Sequence, residues 1–138
     1  MKELEPLMML VGRWQGKGKG SYGPFSAEMD VEKRGRWLLM RQKIKIPVVG
    51  ITTYVSTQIY GYDYDALTLD FFDTAGSFHF IGNRDGDILK FHFKDSTVEK
   101  TSLYWKDGDG IAFDYVSTEK DGESQKKVHF KGAWQREE

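Results

Sequence analysis

The chain has 138 residues, 39% of them hydrophobic and 30% charged, the balance of one globular domain with its own core rather than of a disordered chain. Lysine and arginine number 20 against 21 acidic residues, a formal charge of -1, so no general pull towards nucleic acid or an anionic membrane is expected. Cysteine is absent, which excludes disulfides, thiolate zinc sites, iron–sulfur clusters and cysteine nucleophiles, and suits a reducing, cytoplasmic setting.

Residues 2–11 read as one short capping helix. Pro6 fits only its first turn, and Leu4, Leu7, Met8 and Val11 share a face at helical spacing. A helix this short needs something to pack on. The opening stretch does not read as a signal peptide: the apolar run Leu7–Val11 is too short, and Glu3 and Glu5 stand where basic residues would be expected. No apolar run approaches the roughly 20 residues of a membrane-spanning helix.

From Gly12 the period changes to two. Strands are expected near 12–20, 25–34, 37–46, 52–62, 66–73, 77–83, 87–94, 98–106, 110–118 and 124–135. Turn chemistry separates them. Asp73-Thr74-Ala75-Gly76 suits a turn ending on glycine, and Arg84-Asp85-Gly86-Asp87, Asp107-Gly108-Asp109-Gly110 and Asp121-Gly122 carry the Asp-Gly hairpin signal. Many short strands with no helix between them exclude a parallel sheet. An open sheet of that size would leave two long edges, which closure removes. The expected architecture is therefore all-β: one domain over 1–138, an antiparallel up-and-down barrel of about ten strands over 12–135, with the helix 2–11 as its cap.

Alternation sorts the strand faces. Phe25, Ala27, Met29 and Val31 should face in against Ser26, Glu28 and Asp30; Leu38, Met40, Gln42, Ile44 and Ile46 against Arg41, Lys43 and Lys45. By the same rule Leu89, Phe91 and Phe93 point in, as do Ile111, Phe113 and Tyr115, and Val128, Phe130 and Trp134. In the first strand Trp14, Gly16, Gly18 and Gly20 share the inner face. Glycine there serves either strong curvature or interior space. Ten strands enclose more room than eight, and the 9 Phe, 7 Tyr and 4 Trp either fill it or line a pocket for an apolar ligand.

The strand Gly12-Arg13-Trp14-Gln15-Gly16-Lys17-Gly18 after a short helix resembles the calycin group, nitrobindin and the fatty-acid-binding proteins above all. Tyr60-Gly61-Tyr62-Asp63 with Phe72-Asp73-Thr74-Ala75-Gly76 is similar to a bacterial domain family of unknown function. The resemblance implies a calycin-like or lipocalin-like barrel. It also implies a structural pair in which a C-terminal arginine, Arg136 here, stacks on Trp14. Nitrobindins hold haem through a histidine near the last strand, and His129 is the matching residue. Alternation, however, places His129 beside Lys127 and Lys131 on the outer face.

Other chemistry is thinly marked. His92 lies between Lys90 and Lys94 on its own face, His79 shares a face with Ser77, Ile81 and Asn83, and no two histidines have zinc-site spacing. The acidic pairs Asp63-Tyr64-Asp65 and Asp107-Gly108-Asp109 do not continue into a calcium loop and read as turns. Gly16-Lys17-Gly18-Lys19-Gly20 lacks the context of a phosphate loop, and Lys17, Lys19, Lys43 and Lys45 read as a solvated outer stripe. No catalytic residue and no metal ligand is singled out. The expected function is a carrier or sensor of a small, mostly apolar molecule held inside the barrel. Met29, Met40, Gln42, Phe78, Phe91, Phe113, Tyr115 and Phe130 are the expected lining. The alternatives are a haem protein with His129 as axial ligand, acting on reactive nitrogen or oxygen species, and a non-catalytic interaction module with a filled barrel. A homodimer is compatible with any of these.

Overall fold

The structure, a computed structural model, describes residues 2–47, 52–63, 66–74 and 76–137, and of residues 2–4 and 52–54 the backbone alone. Ten strands follow one another in the order in which they pair: β1 Gly12–Gly20, β2 Gly23–Arg34, β3 Trp37–Ile46, β4 Thr52–Asp63, β5 Ala66–Asp73, β6 Gly76–Asp85, β7 Ile88–Lys94, β8 Val98–Asp107, β9 Gly110–Asp121 and β10 Ser124–Arg136. Every neighbouring pair is antiparallel, and β1 pairs with β10 from Trp14↔Arg136 to Gly20↔Phe130, so the barrel is closed. Closure leaves no strand edge to template aggregation. Gly86, Gly108 and Gly122 sit at φ of 62°, 60° and 62° in their hairpins, the left-handed conformation that the Asp-Gly signal predicts. Of the turns read from sequence, Ala75 and the Tyr64-Asp65 part of the first acidic pair lie outside the described residues.

The N-terminal segment departs from expectation. It is a 3-10 helix over Lys2–Leu10 with Pro6 inside it, not an α-helix over 2–11. With three residues per turn, side chains three apart line up. Leu7 and Leu10 are accordingly both fully buried, whereas Met8, expected on the inner face, is 38% exposed. The side chain of Leu4 is outside the described residues. No helix among the described residues is long and apolar enough to cross a membrane.

The helix closes one end of the barrel. Leu7 and Leu10 join the core cluster that contains Trp14, Leu38, Tyr60, Leu89, Ile111 and Trp134. The Trp14 indole N–H donates to Leu10 O at 2.8 Å. The Arg136 guanidinium lies 4.4 Å from the Trp14 ring centroid and donates to Val11 O at 2.7 Å, so it ties the last strand to the cap. A cation over an indole contributes about 0.5–2 kcal/mol.

The glycines of β1 answer the question left open by the sequence. A Cβ on Gly16 would collide with the Trp134 ring, one on Gly18 with Lys131 O and the Phe25 ring, and one on Gly20 with His129 O and the Phe130 ring. Their inner space is taken by aromatic rings and by the close approach of β10. They serve packing and curvature at the β1–β10 seam, not a ligand.

Candidate functional site

An up-and-down barrel has two ends, and the register shows which side chains stand at each. Near the cap lie the start of β1, the end of β2, the start of β3 and so on round to the end of β10. At this end Leu38, Tyr60, Leu89 and Trp134 are at most 2% exposed and belong to one core cluster with Leu7 and Leu10. Towards the other end the same inward faces enclose a cavity of about 240 Å3. Its rim carries Tyr22, Asp73, Thr74 and Glu119, all exposed to solvent.

One side of the cavity is apolar. Ile44, Leu69, Phe71, Phe80, Phe113 and Phe130 form it, with Phe71 and Phe80 at a centroid separation of 6.4 Å. The other side is polar, supplied chiefly by β3, β4, β8 and β9. Gln58 Nε2 donates to Gln42 Oε1 at 2.9 Å and to Ser56 Oγ at 3.2 Å, and the Ser56 hydroxyl donates to Gln42 Oε1 at 3.4 Å. Beneath them the Tyr60 hydroxyl donates to Gln58 Oε1 at 2.8 Å and lies 3.1 Å from the Tyr104 hydroxyl. Burial, then the neighbouring Tyr104, pushes the Tyr60 hydroxyl well above its ordinary 10.0. Burial also raises Tyr104. Both stay protonated, and the Tyr60 hydroxyl, itself set against Tyr104, holds the amide of Gln58 in place.

Lys100 enters from β8. Its Nζ donates to Tyr115 Oη at 3.2 Å and to Ser117 Oγ at 3.1 Å, and it sits 4.6 Å from the Phe78 ring centroid. Ser102 and Ser117, both buried, complete this wall. The arrangement can hold a compact molecule by apolar contact on one side and hydrogen bonds on the other, the usual division of labour in a ligand pocket.

The structure brings together half of the expected lining. Gln42, Phe113, Tyr115 and Phe130 border the cavity. Met29, Met40 and Phe91 face inward as read, but they are at most 3% exposed and packed in the core beyond the cavity. Phe78 is inward and half-buried, stacked edge-on against Phe93 at 5.4 Å and covered by Lys100, and is not part of the lining. Missed altogether were Ser56, Gln58, Lys100, Ser102 and Ser117. The signal that could have found them is a reversed alternation. In β4, Val55 is 57% exposed while Ser56 and Gln58 are buried. In β8, Lys100, Ser102 and Tyr104 line or underlie the cavity while Leu103 and Trp105 take the other face.

None of the histidines faces the cavity. His129 points outward and holds Asp114 Oδ1 through Nε2 at 2.6 Å. His79 pairs with Asp70 at 2.6 Å and His92 with Glu99 at 3.3 Å, each across neighbouring strands on the outer surface. The residues therefore do not fit haem held inside the barrel by His129. Among the described residues no group of three His, Cys, Asp or Glu is placed to hold a metal ion.

No family model matches the chain, and no curated protein sequence does. Among solved structures, an S-type phycobiliprotein lyase from Guillardia theta superposes with a TM-score of 0.64 over 95% of this chain and 90% of its own, at 8% identity. At that identity the likeness is one of fold, and it fits the calycin-like barrel expected from the first strand.

Proposed function

We propose that the protein is a cytoplasmic carrier or sensor for a compact, mostly apolar small molecule bound in the open half of the barrel. One observation carries this reading: a cavity of about 240 Å3 whose wall is aromatic on one side and hydrogen-bonding on the other. Ligand pockets run from about 300 Å3 upward, so the occupant is small. A space of this size equals roughly eight waters at about 30 Å3 each. That a barrel of the same fold serves a phycobiliprotein lyase is consistent with a role in handling small molecules. The finer likeness to nitrobindin or the fatty-acid-binding proteins rests on the Gly12–Gly18 motif and the Trp14–Arg136 stack. The cavity runs against a filled interaction module.

The test is displacement of a neutral fluorescent dye, N-phenyl-1-naphthylamine, together with native mass spectrometry of gently purified protein. A single saturable dye site, or a co-purifying small molecule, is the expected result. No dye binding and no retained molecule would sink the reading.

A further inference from the structure

We infer that the ligand carries a carboxylate that docks on the Lys100 ammonium, while its apolar body lies against Leu69, Phe80 and Phe113. The inference rests on the binding role proposed above and adds the charge and orientation of the occupant. Lys100 is half-buried and projects into the cavity from β8. Its contacts are the hydroxyls of Tyr115 and Ser117 and the face of Phe78. All of them are uncharged.

Elsewhere in the barrel many charged groups have a partner of opposite sign: Arg34 has Glu32 at 2.8 Å, Arg13 has Asp30 at 3.9 Å and Lys94 has Glu99 at 3.8 Å. Among the described residues no carboxylate pairs with Lys100 in this way. A partly desolvated ammonium with only neutral neighbours is incompletely compensated. An ammonium has three N–H donors, and two are engaged here. The third remains for an anion, and a charge-assisted hydrogen bond is about twice as strong as a neutral one. Tyr115 and Ser117 hold the ammonium in position, so little side-chain freedom is lost on binding.

The other charged groups at the cavity are Asp73 and Glu119. Both are exposed at the rim, where water screens them. Deeper in, Gln42 directs its Oε1 to Gln58 and Ser56, which leaves its amide N–H groups as further donors towards an acceptor on the ligand.

Three probes with one apolar body separate the possibilities: 4-phenylbutyrate, 4-phenylbutanol and 4-phenylbutylamine, each competed against the neutral dye. The butyrate is expected to bind at least ten-fold more tightly than the alcohol, and the amine more weakly than either. Lys100→Met should abolish the preference for the butyrate over the alcohol; Lys100→Arg should keep that preference. The thermal midpoint of each variant verifies folding. Equal binding of butyrate and alcohol, a preference for the amine, or a butyrate preference that survives Lys100→Met overturns the carboxylate site while leaving the cavity as a binding site. If neither the dye nor any probe binds, the binding role itself fails and the inference falls with it.

Discussion

The capped half and the open half of the barrel are made from the same ten strands with the same inward faces. In the capped half, bulky side chains fill the interior: Phe91 stands edge-on to Tyr60 at 5.3 Å, and the Trp134 ring packs over Gly16. In the open half serines, glutamines and a lysine share the inward positions with apolar residues, and space remains. The polar groups differ too. The glutamines, tyrosines and lysine of the cavity side are hydrogen-bonded to one another. The single buried side-chain N–H without a partner among the described residues is Trp134 Nε1, in the filled half. Packing there is close enough to carry an orphaned donor whose desolvation costs about 1–3 kcal/mol. One half supplies stability and the other gives some of it up for a site, and each can be probed separately.

The sharpest separation comes from Phe91→Ala. Phe91 is fully buried and its ring occupies the space over Gly82 that a Cβ would need. Truncation should lower unfolding free energy by about 3–5 kcal/mol, read from the urea midpoint. Dye affinity of the protein that remains folded should not change. A large affinity change with little loss of stability would return Phe91 to the lining and dissolve the boundary between the halves. Next in size is Gly18→Ala at the β1–β10 seam, where the added methyl meets Lys131 O and Phe25. Overpacking of that kind costs about 1–3 kcal/mol. A neutral result would mean that the glycine faces free space after all.

Sequence was a good guide to the fold because two independent signals agree along the chain. Asp-Gly turns mark the hairpins and alternation marks the faces, so each observed strand lies within three residues of the range expected for it. Alternation reports side but not depth. Met29, Met40 and Phe91 were rightly placed inside, yet whether an inward residue meets a void or another ring depends on its height along the barrel axis. Alternation also misleads where a strand is built in reverse. Val55 and Ile59 look like core positions in β4, yet Ser56, Gln58 and Tyr60 are the residues turned in. An inward lysine such as Lys100 reads as a solvated surface charge until its neighbours Tyr115 and Ser117, on another strand, are seen beside it.

The floor of the cavity has its own signature in alkali. The folded Tyr60 titrates well above 10.0 because it is buried beside Tyr104, whereas in the unfolded chain it ionises near the ordinary value. Its contribution to stability is therefore fully present below pH 10 and is lost as the pH rises above it, by up to about 1.4 kcal/mol per pH unit. Tyr60→Phe should flatten the decline in urea midpoint above pH 10, leaving the smaller slope from Tyr104. An unchanged slope would place the alkaline loss elsewhere. Smaller still is Lys100→Met: an apolar side chain in a partly apolar cavity should leave stability within about 1 kcal/mol of the wild type or raise it, the reverse of Phe91→Ala. A loss of several kcal/mol would show that the open half is structural too.

The smallest effect concerns the rim itself. Asp95 turns β7 into β8 by accepting the N–H groups of Thr97 and Val98, both at 2.8 Å, and the Thr97 hydroxyl at 3.1 Å. The backbone hydrogen bonds from Thr97 and Val98 hold its carboxyl below the ordinary 3.8. A carboxylate favoured in the folded state stabilises fully above its unfolded value and ceases to do so as pH falls through the lower folded value. The same turn sends Thr97 O to Lys120 N on β9 at 2.8 Å, so it helps set β8, and with it Lys100, against the strand that carries Tyr115 and Ser117. Acid should therefore loosen the open end first: the protection factors of the Thr97, Val98 and Lys120 amides, taken against the intrinsic exchange rate at each pH, should fall below pH 3.8 while those near Trp14 and Arg136 hold. Asp95→Asn, which still offers an oxygen to both N–H groups but cannot titrate, should remove the pH dependence at the rim. If the rim of Asp95→Asn loosens in acid as the wild type does, the carboxylate is not what holds the open end.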